Sequence, residues 1–276
     1  MAEGKILQGD ASKRLQEMPA ESVQMVLTSP PYWRQRVYGR GEAEIGHEET
    51  PEFYAQRLVG VAREIRRVLE PGGSLWLNLG DKYAAGGKGG GGIAAERRAW
   101  KGERDRKGWN APPAGYKSKD LTLSPFLVAE ALRADGWYLR QTVIWDKGCG
   151  IEPLRRDRPS SGHEYVFLFA RDRKNQITAP SEPWWGHSVW RIAPEKRKEH
   201  VAPMPRELAR RCIVAGSLPG QTVLDPFAGS GTSGEVALEM GRRFVGVELY
   251  PETARQAARG LLEAQQTFLS QLPEAA

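Results

Sequence analysis

A glycine-rich turn between two short apolar segments, late in the chain, restricts the fold more than any other feature. Residues 222–225 predict a short buried strand, and the sequence Pro-Phe-Ala-Gly-Ser-Gly-Thr follows at 226–232. Residues 233–240 have helical apolar spacing, and 244–247 predict a second strand that ends at Glu248. Strand, glycine turn, helix and strand in this order predict a βαβ unit whose glycines let the backbone approach a ligand closely.

Two carboxylates at the ends of these strands indicate the ligand. Glu248 lies about twenty residues after Asp225, the offset of a carboxylate that binds ribose hydroxyls. Asp225 would repel a pyrophosphate, whereas it suits a ligand with a cationic amino-acid tail. S-adenosylmethionine (SAM) meets both conditions, with its adenosine near Glu248 and its methionine ammonium near the Asp225 turn. We therefore predict that residues 201–260 form a SAM-binding βαβ part.

A second informative segment, the tetrapeptide Ser29-Pro30-Pro31-Tyr32, follows the apolar run at 23–28. Its two prolines have no backbone N–H, so the loop presents carbonyl oxygens without competing donors. Ser29 adds a hydroxyl and Tyr32 a flat aromatic face. Hydrogen-bond acceptors beside a stacking surface suit an amino group on an aromatic base. Taken alone, the tetrapeptide is equally compatible with an ordinary turn at the end of a strand.

The remaining apolar segments alternate between strand and helix. Such alternation predicts a mostly parallel sheet with helices on both faces, which binds ligands at the carboxyl ends of its strands. If Ser29 and Asp225 serve one site, the late βαβ unit must lie beside the early strands. Strands are predicted at 5–8, 23–28, 74–79, 138–145 and 165–169, and helices from Pro51 to before Pro71, at 125–133, at 206–214 and at 252–272.

The two motifs together resemble the amino-group DNA methyltransferases, in the subgroup whose catalytic motif precedes the SAM motif. Weaker segments at 6–10, 135–140, 144–147, 157–159, 163–165 and 200–208 agree with this resemblance. It implies one Rossmann-like α/β methyltransferase domain over residues 1–276, a permuted motif order and SAM as the cofactor. It also implies that a base in duplex DNA flips into the site, since its amine is otherwise out of reach.

The resemblance assigns site residues as follows. The Pro30 carbonyl and the Ser29 hydroxyl accept hydrogen bonds from the target amine, Tyr32 stacks on the base, and Trp33 lies on the pocket wall against DNA. The predicted catalytic residues are Ser29, Pro30, Pro31 and Tyr32. The predicted cofactor-binding residues are Asp10, Thr28, Asp225, Phe227, Ala228, Gly229, Ser230, Gly231, Thr232, Glu248 and Leu249.

The target base follows only from a correlation within the family. Ser-Pro-Pro-Tyr is associated with N4 of cytosine and Asp-Pro-Pro-Tyr with N6 of adenine, so the chain is most like the N4-cytosine members. N6 of adenine is the alternative, because both bases carry a ring nitrogen beside the amine. A catalytically silent DNA-binding protein and a small-molecule methyltransferase are the alternatives from other classes.

Charge is concentrated in one stretch of the chain, although the whole sequence carries only +6 from 40 Lys and Arg and 34 Asp and Glu. Residues 82–119 contain ten Lys or Arg, three acids and nine glycines, which predicts a mobile basic loop that closes over DNA phosphates. The alternative is a solvated, disordered insertion that has no function of its own. The predicted DNA-binding residues are Trp33, Lys88, Arg97, Arg98, Lys101, Arg104, Arg106, Lys107, Arg155, Arg156 and Arg158.

Residues 152–200 are the least regular part in this interpretation and the candidate target-recognition region. Trp184, Trp185 and Trp190 lie there among basic residues, and they either read bases, form a dimer contact or are buried. Cys149 and Cys212 match no metal-ligand or disulfide spacing, so no metal site is expected.

No apolar run approaches membrane-spanning length. The expected protein is therefore soluble, in the prokaryotic cytoplasm near the nucleoid. Its expected partner is duplex DNA. The sequence leaves open whether the protein belongs to a restriction-modification system with a cognate endonuclease or is an orphan epigenetic enzyme, and whether it forms a homodimer.

Overall fold

A twisted sheet forms the centre of the computed structural model, which describes residues 3–35, 44–84, 112–148, 156–195 and 204–271. Eight strands of these residues pair in the order β1-β8-β7-β2-β3-β5-β4-β6. The strands are β1 (Gly4–Gln8), β2 (Val23–Thr28), β3 (Leu69–Leu79), β4 (Tyr138–Asp146), β5 (His163–Ala170), β6 (Val189–Arg191), β7 (Thr222–Asp225) and β8 (Arg243–Glu248).

The sheet is mostly parallel, as the sequence predicts. Strand β5 is the exception, because it runs antiparallel to both of its neighbours, β3 and β4. The other five strand pairs are parallel. Strand β7 pairs with β2, with Met25 opposite Val223 and Val26 opposite Leu224. The late βαβ unit therefore lies beside the early strands, and the carboxyl ends of β2 and β7 share one edge of the sheet.

Helices cover both faces of the sheet. They are α1 (Ala11–Gln16), α2 (Pro51–Val68), α3 (Ser124–Ala134), α4 (Arg206–Gly216), α5 (Thr232–Glu239) and α6 (Pro251–Ser270). One apolar core contains residues of α1, α2 and α3, and the other contains residues of α4, α5 and α6. No described helix combines the length and the apolar character needed to cross a bilayer.

Strand β2 shows how the two cores select the sequence at the centre of the sheet. Val23 and Val26 pack into the core with α2, whereas Met25 and Leu27 pack into the core with α4. A strand that is buried on both faces needs apolar residues at successive positions instead of every second one. This need explains the continuous apolar run that leads into the Ser29 loop.

Helix α2 begins and ends close to the predicted points. The Thr50 side chain accepts a hydrogen bond from the Phe53 amide at 3.4 Å, and Pro51 occupies the first helical position. The helix ends at Val68, and β3 begins at Leu69 instead of at the predicted residue 74. The chain therefore enters the sheet before the Pro-Gly-Gly sequence at 71–73.

The predicted recognition region at 152–200 contains the strand predicted at 165–169, as β5, and a further strand, β6, that was not predicted. A 3-10 turn at Pro183–Gly186 lies between them. The apolar side chains of β5 hold it in the sheet, since Val166 to Ala170 are buried against the neighbouring strands. Most of the predicted basic loop, residues 85–111, lies outside the described residues.

Close packing at Gly234 generates a stability prediction. A Cβ atom at Gly234 would lie 2.5 Å from both Leu261 Cδ2 and Phe244 Cε1. Gly234→Ala should lower the free energy of unfolding by about 1–3 kcal/mol, because the core must move to accept the methyl group. Gly60→Ala on α2 is the matched control, since nothing lies within 4 Å of its Cβ position. There the substitution should raise the free energy of unfolding by roughly 0.5–1 kcal/mol, and urea denaturation of both variants checks the pair.

Candidate active site

The two sequence motifs meet at one cavity at the carboxyl ends of the central strands. Its volume is about 320 Å³, and segments after β1, β2, β7 and β8 line it. The predicted site residues that line it are Asp10, Ser29, Pro30, Pro31, Tyr32, Asp225, Phe227, Ala228, Gly229, Ser230, Thr232, Glu248 and Leu249. Thr28 and Gly231 are not among its lining residues: Thr28 is buried behind Asp225, and Gly231 packs against Ala257.

Asp225 joins the two motifs. Its Oδ1 accepts hydrogen bonds from the Thr28 hydroxyl at 2.7 Å and from the Phe227 amide at 3.0 Å, and its Oδ2 accepts one from Ser233 Oγ at 2.6 Å. Burial raises the pKa of this carboxyl, and the three donors act in the opposite direction. Because Thr28 directly precedes the loop at 29–32, Asp225 holds that loop in place as well as lining the cavity.

The glycine turn has the conformation that a close ligand contact requires. Gly229 and Gly231 have φ angles of +53° and +87°, in a region that side chains other than glycine rarely adopt. Thr232 opens α5 beside the cavity, and its Oγ1 is buried without a hydrogen-bond partner among the described residues. A buried hydroxyl of this kind needs a polar partner, so the turn fits a ligand with a polar group at Thr232.

Glu248 lines the same cavity at the end of β8. Its two carboxylate oxygens accept hydrogen bonds from the Tyr250 amide at 2.9 Å and the Gly229 amide at 3.0 Å. Burial raises the pKa of Glu248 to about 7, although both amides oppose the shift. The carboxylate is therefore fixed in orientation and remains able to accept hydrogen bonds from ligand hydroxyls.

The loop at 29–32 is held by hydrogen bonds from several directions. The Ser29 hydroxyl donates to Tyr32 Oη at 3.2 Å, and Tyr32 Oη donates to Glu164 Oε2 at 2.7 Å. Tyr54 Oη donates to the Pro31 carbonyl at 3.0 Å, so the loop is fastened at this carbonyl. Burial, followed by the nearby Glu164 carboxylate, raises the pKa of Tyr32 well above its usual value, which keeps its hydroxyl protonated.

Several polar residues of the cavity wall were missed as site residues. They include Glu44, Asn78, Lys147 and Glu164. Lys147 Nζ donates a hydrogen bond to Glu164 Oε1 at 2.5 Å, and Asn78 Nδ2 donates one to Glu164 Oε2 at 3.1 Å. The weak family segments at 144–147 and 163–165 include two of them, but residues 132 positions apart, such as Tyr32 and Glu164, have no sequence pattern that pairs them.

Trp33 does not lie on the cavity wall, contrary to expectation. It is 1% exposed, and its Nε1 donates to the Glu48 carbonyl at 2.9 Å in the core with α2. A side chain buried in this way is not available to DNA, so the DNA-binding prediction for Trp33 is wrong in this structure.

Only two of the predicted basic DNA contacts fall within the described residues. Arg156 is exposed, and the Arg158 guanidinium lies 3.7 Å from the centre of the Tyr83 ring. Tyr83 and Arg158 thus form a contact between the predicted basic loop and the predicted recognition region. Lys88, Arg97, Arg98, Lys101, Arg104, Arg106, Lys107 and Arg155 lie outside the described residues.

Of the three alternatives for the tryptophans, burial applies to Trp190. It is 2% exposed and stacks on Trp76 with the ring centres 6.1 Å apart. Trp184 and Trp185 are partly buried beside the same core, and Trp184 meets Trp190 edge to face. Cys212 is a buried packing residue of α4, and the described residues contain no group of three or more potential metal ligands.

Comparison with known proteins gives a family for this site. A family model described as DNA methylase, of N6 and N4 methyltransferases, matches residues 23–259. The type II methyltransferase M.SmaI of Serratia marcescens is 41% identical over 94% of this chain and 90% of its own length.

Solved structures agree on the fold. TTHA0409 of Thermus thermophilus, solved in complex with SAM, is 26% identical with a TM-score of 0.64 and 96% of each chain covered. The PvuII DNA methyltransferase, described as cytosine-N4-specific, has a TM-score of 0.69 at 20% identity, covering 98% of this chain and 94% of its own. At that identity the second likeness concerns the fold alone.

The raised pKa of Glu248 predicts a pH dependence of stability. The native state keeps a proton on Glu248 up to about pH 7, whereas the unfolded chain loses it near 4.5. The stabilising contribution of this group is therefore present at low pH and is lost as the pH rises through 7. Between pH 5 and 8 the wild type should lose up to about 3 kcal/mol of unfolding free energy relative to Glu248→Gln.

Urea titrations at several pH values measure this difference. Glu263→Gln, on the exposed side of α6, is the control and should follow the wild type at every pH. A constant difference between Glu248→Gln and the wild type from pH 5 to 8 would contradict the assignment.

Proposed function

Because the chain belongs to the DNA methylase family and is a SAM-dependent DNA methyltransferase, we propose that it methylates the exocyclic N4 amine of cytosine in duplex DNA. One observation carries the proposal: Ser29-Pro30-Pro31-Tyr32 and the Asp225 and Glu248 carboxylates line the same cavity. The choice of cytosine rests on Ser29, the first residue of the tetrapeptide, because Ser-Pro-Pro-Tyr is the form associated with the N4-cytosine members of the family.

The chemical problem is the low nucleophilicity of the amine, whose lone pair is delocalised into the ring. Hydrogen bonds from the amine to the Pro30 carbonyl and to Ser29 Oγ favour a tetrahedral nitrogen with its lone pair directed away from the ring. The same two oxygens stabilise the positive charge that develops on the nitrogen. The Tyr32 ring stacks on the base and holds it in this orientation.

The residues around the glycine turn fit SAM, which when bound supplies a methyl group on a positively charged sulfur. Glu248 accepts hydrogen bonds from the ribose hydroxyls, and the turn that begins at Asp225 contacts the methionine end. The unpaired Thr232 hydroxyl meets a polar group of that end. Asp225 acts through the electrostatic potential that it creates, since its oxygens already accept three hydrogen bonds.

Positioning supplies most of the catalysis in this proposal. The N–CH₃ bond forms as the S–CH₃ bond breaks, and the nitrogen then releases one proton to water. No residue forms a covalent bond with the base. A base stacked in a duplex does not reach a concave cavity at the sheet edge, so it must leave the helix first.

Duplex DNA is the macromolecular partner in this proposal. The basic residues of 82–119 contact phosphates around the flipped base, and binding therefore weakens steeply with salt. The type II relatives favour a place in a restriction-modification pair, with an endonuclease that cuts the same site. A homodimer would suit a palindromic site.

The test is to incubate the purified protein with SAM and unmethylated mixed-sequence plasmid DNA, digest to nucleosides and identify the product by mass spectrometry. N4-methylcytosine is the expected product. N6-methyladenine would overturn the target base while retaining the reaction class. SAM binding without any methylated nucleoside would favour the catalytically silent DNA-binding protein.

Variants of the tetrapeptide test its role in the reaction. Ser29→Ala and Tyr32→Ala should each lower kcat by about a hundredfold or more, because each removes a contact made to the reacting base. The dissociation constant for SAM, measured by calorimetry, should change little.

Two exposed residues far from the cavity are the matched controls. Ser270 lies in the last turn of α6, and Tyr138 is the first residue of β4, at the end of that strand away from the cavity. The control variants are Ser270→Ala and Tyr138→Ala. Both should retain the wild-type rate. A Tyr32→Ala enzyme with the full rate would contradict the stacking role.

A further inference from the structure

We propose that Glu164, held by Lys147, is a positioning residue that fixes the Ser29 hydroxyl as a hydrogen-bond acceptor toward the target amine. The inference rests on the proposed function of the same cavity and adds a determinant of its specificity. It concerns which atom donates and which accepts in each hydrogen bond of a series that leads from Lys147 through Glu164 and Tyr32 to Ser29.

The chain of contacts is continuous. The Lys147 ammonium bonds Glu164 Oε1 at 2.5 Å, and Glu164 Oε2 accepts the Tyr32 hydroxyl at 2.7 Å. Tyr32 Oη in turn accepts the Ser29 hydroxyl at 3.2 Å. All four side chains line the cavity.

Each bond of this chain can point in only one direction. Lys147 only donates, and a carboxylate only accepts. Tyr32 therefore gives its single proton to Glu164, and its oxygen is left to accept from Ser29. Ser29 gives its own single proton to Tyr32, so Ser29 Oγ offers only lone pairs to the cavity.

Glu164 is well supported in the acceptor role. Lys147 is 8% exposed and lies 4.4 Å from the centre of the Trp145 ring, which fixes the ammonium beside the carboxylate. Asn78 Nδ2 donates a further hydrogen bond to Glu164 Oε2 at 3.1 Å. A half-buried carboxylate without such partners would be costly to place here.

The consequence concerns which bases the cavity accepts. An exocyclic amine donates hydrogen bonds and matches the lone pairs of Ser29 Oγ. A carbonyl oxygen at the same ring position, as in uracil or hypoxanthine, would meet those lone pairs and be rejected. Glu164 thus determines the chemistry at Ser29 without itself contacting the amine.

Glu164→Gln tests the direction of these hydrogen bonds, because a Gln side chain has almost the same shape as a Glu side chain. Lys147 still needs an acceptor, so the Gln carbonyl faces Lys147 and its NH₂ group faces Tyr32. Asn78 Nδ2 then loses its acceptor on residue 164 and keeps its hydrogen bond to the Tyr165 carbonyl. Tyr32 then donates to Ser29, and the Ser29 proton points toward the amine. The kcat for amine methylation should fall by about a hundredfold, with an unchanged dissociation constant for SAM.

A second substitution separates this effect from a structural one. Tyr32→Phe keeps the aromatic ring but interrupts the chain, so that Ser29 can rotate and accept again. We expect Tyr32→Phe to cost about tenfold in kcat, and the Glu164→Gln/Tyr32→Phe double variant to match Tyr32→Phe alone. The second substitution should therefore rescue the first.

Glu164→Asp and Glu64→Gln complete the set. Glu164→Asp keeps an acceptor-only group and should be at least tenfold faster than Glu164→Gln. Glu64→Gln removes an ion pair with Arg67 on α2 and should retain the wild-type rate. Full activity of Glu164→Gln, equal rates of Glu164→Asp and Glu164→Gln, or a loss that persists in the double variant would each overturn the proposal.

The readout is the sum of N4-methylcytosine and N6-methyladenine formed per enzyme on mixed-sequence plasmid DNA at saturating SAM. Both amines donate hydrogen bonds, so this sum tests the chain of hydrogen bonds whichever base is the target. The identity of the methylated base tests the proposed function separately. Failure of one is therefore distinguishable from failure of the other.

Discussion

The 2.7 Å hydrogen bond between the Thr28 hydroxyl and the Asp225 carboxylate is the contact on which the site depends. It joins the ends of β2 and β7, which are neighbours in the sheet although almost two hundred residues separate them. Because Asp225 also binds Phe227 and Ser233, one buried carboxylate organises both the loop after β2 and the turn before α5. The cavity exists because these two loops are held side by side.

The burial that organises the site also sets its electrostatics. Asp225 and Glu248 are both nearly inaccessible, and desolvation raises the pKa of each carboxyl. Oriented amides and hydroxyls oppose that shift only in part, so the pKa of both carboxyls stays above its usual value. Glu164 differs, because the Lys147 ammonium balances its charge directly. The carboxyls beside the glycine turn are therefore held by neutral donors, whereas Glu164 beside Tyr32 is paired with a cation.

Sequence reasoning succeeded where the determining interactions are local. The glycine turn, the Thr50 cap of α2 and the apolar runs of the strands depend on neighbouring residues, and the structure places them within a few residues of the predicted bounds. It failed where burial depends on distant partners. Trp33, between the loop at 29–32 and α2, was assigned to DNA because of its position, but its indole packs in the core and donates to the Glu48 carbonyl.

The sequence by itself determined the family, the αβ alternation and the two motifs, because each is a short pattern with its own backbone and side-chain requirements. Tertiary structure alone decided that Glu164 meets Tyr32, that Lys147 balances Glu164, and that Trp190 stacks on Trp76. These pairs are brought together by the antiparallel entry of β5 beside β3 and by the position of β6 beside β4. Strand order is a property of the whole sheet, since it follows from which apolar faces bury each other and not from any local run of residues.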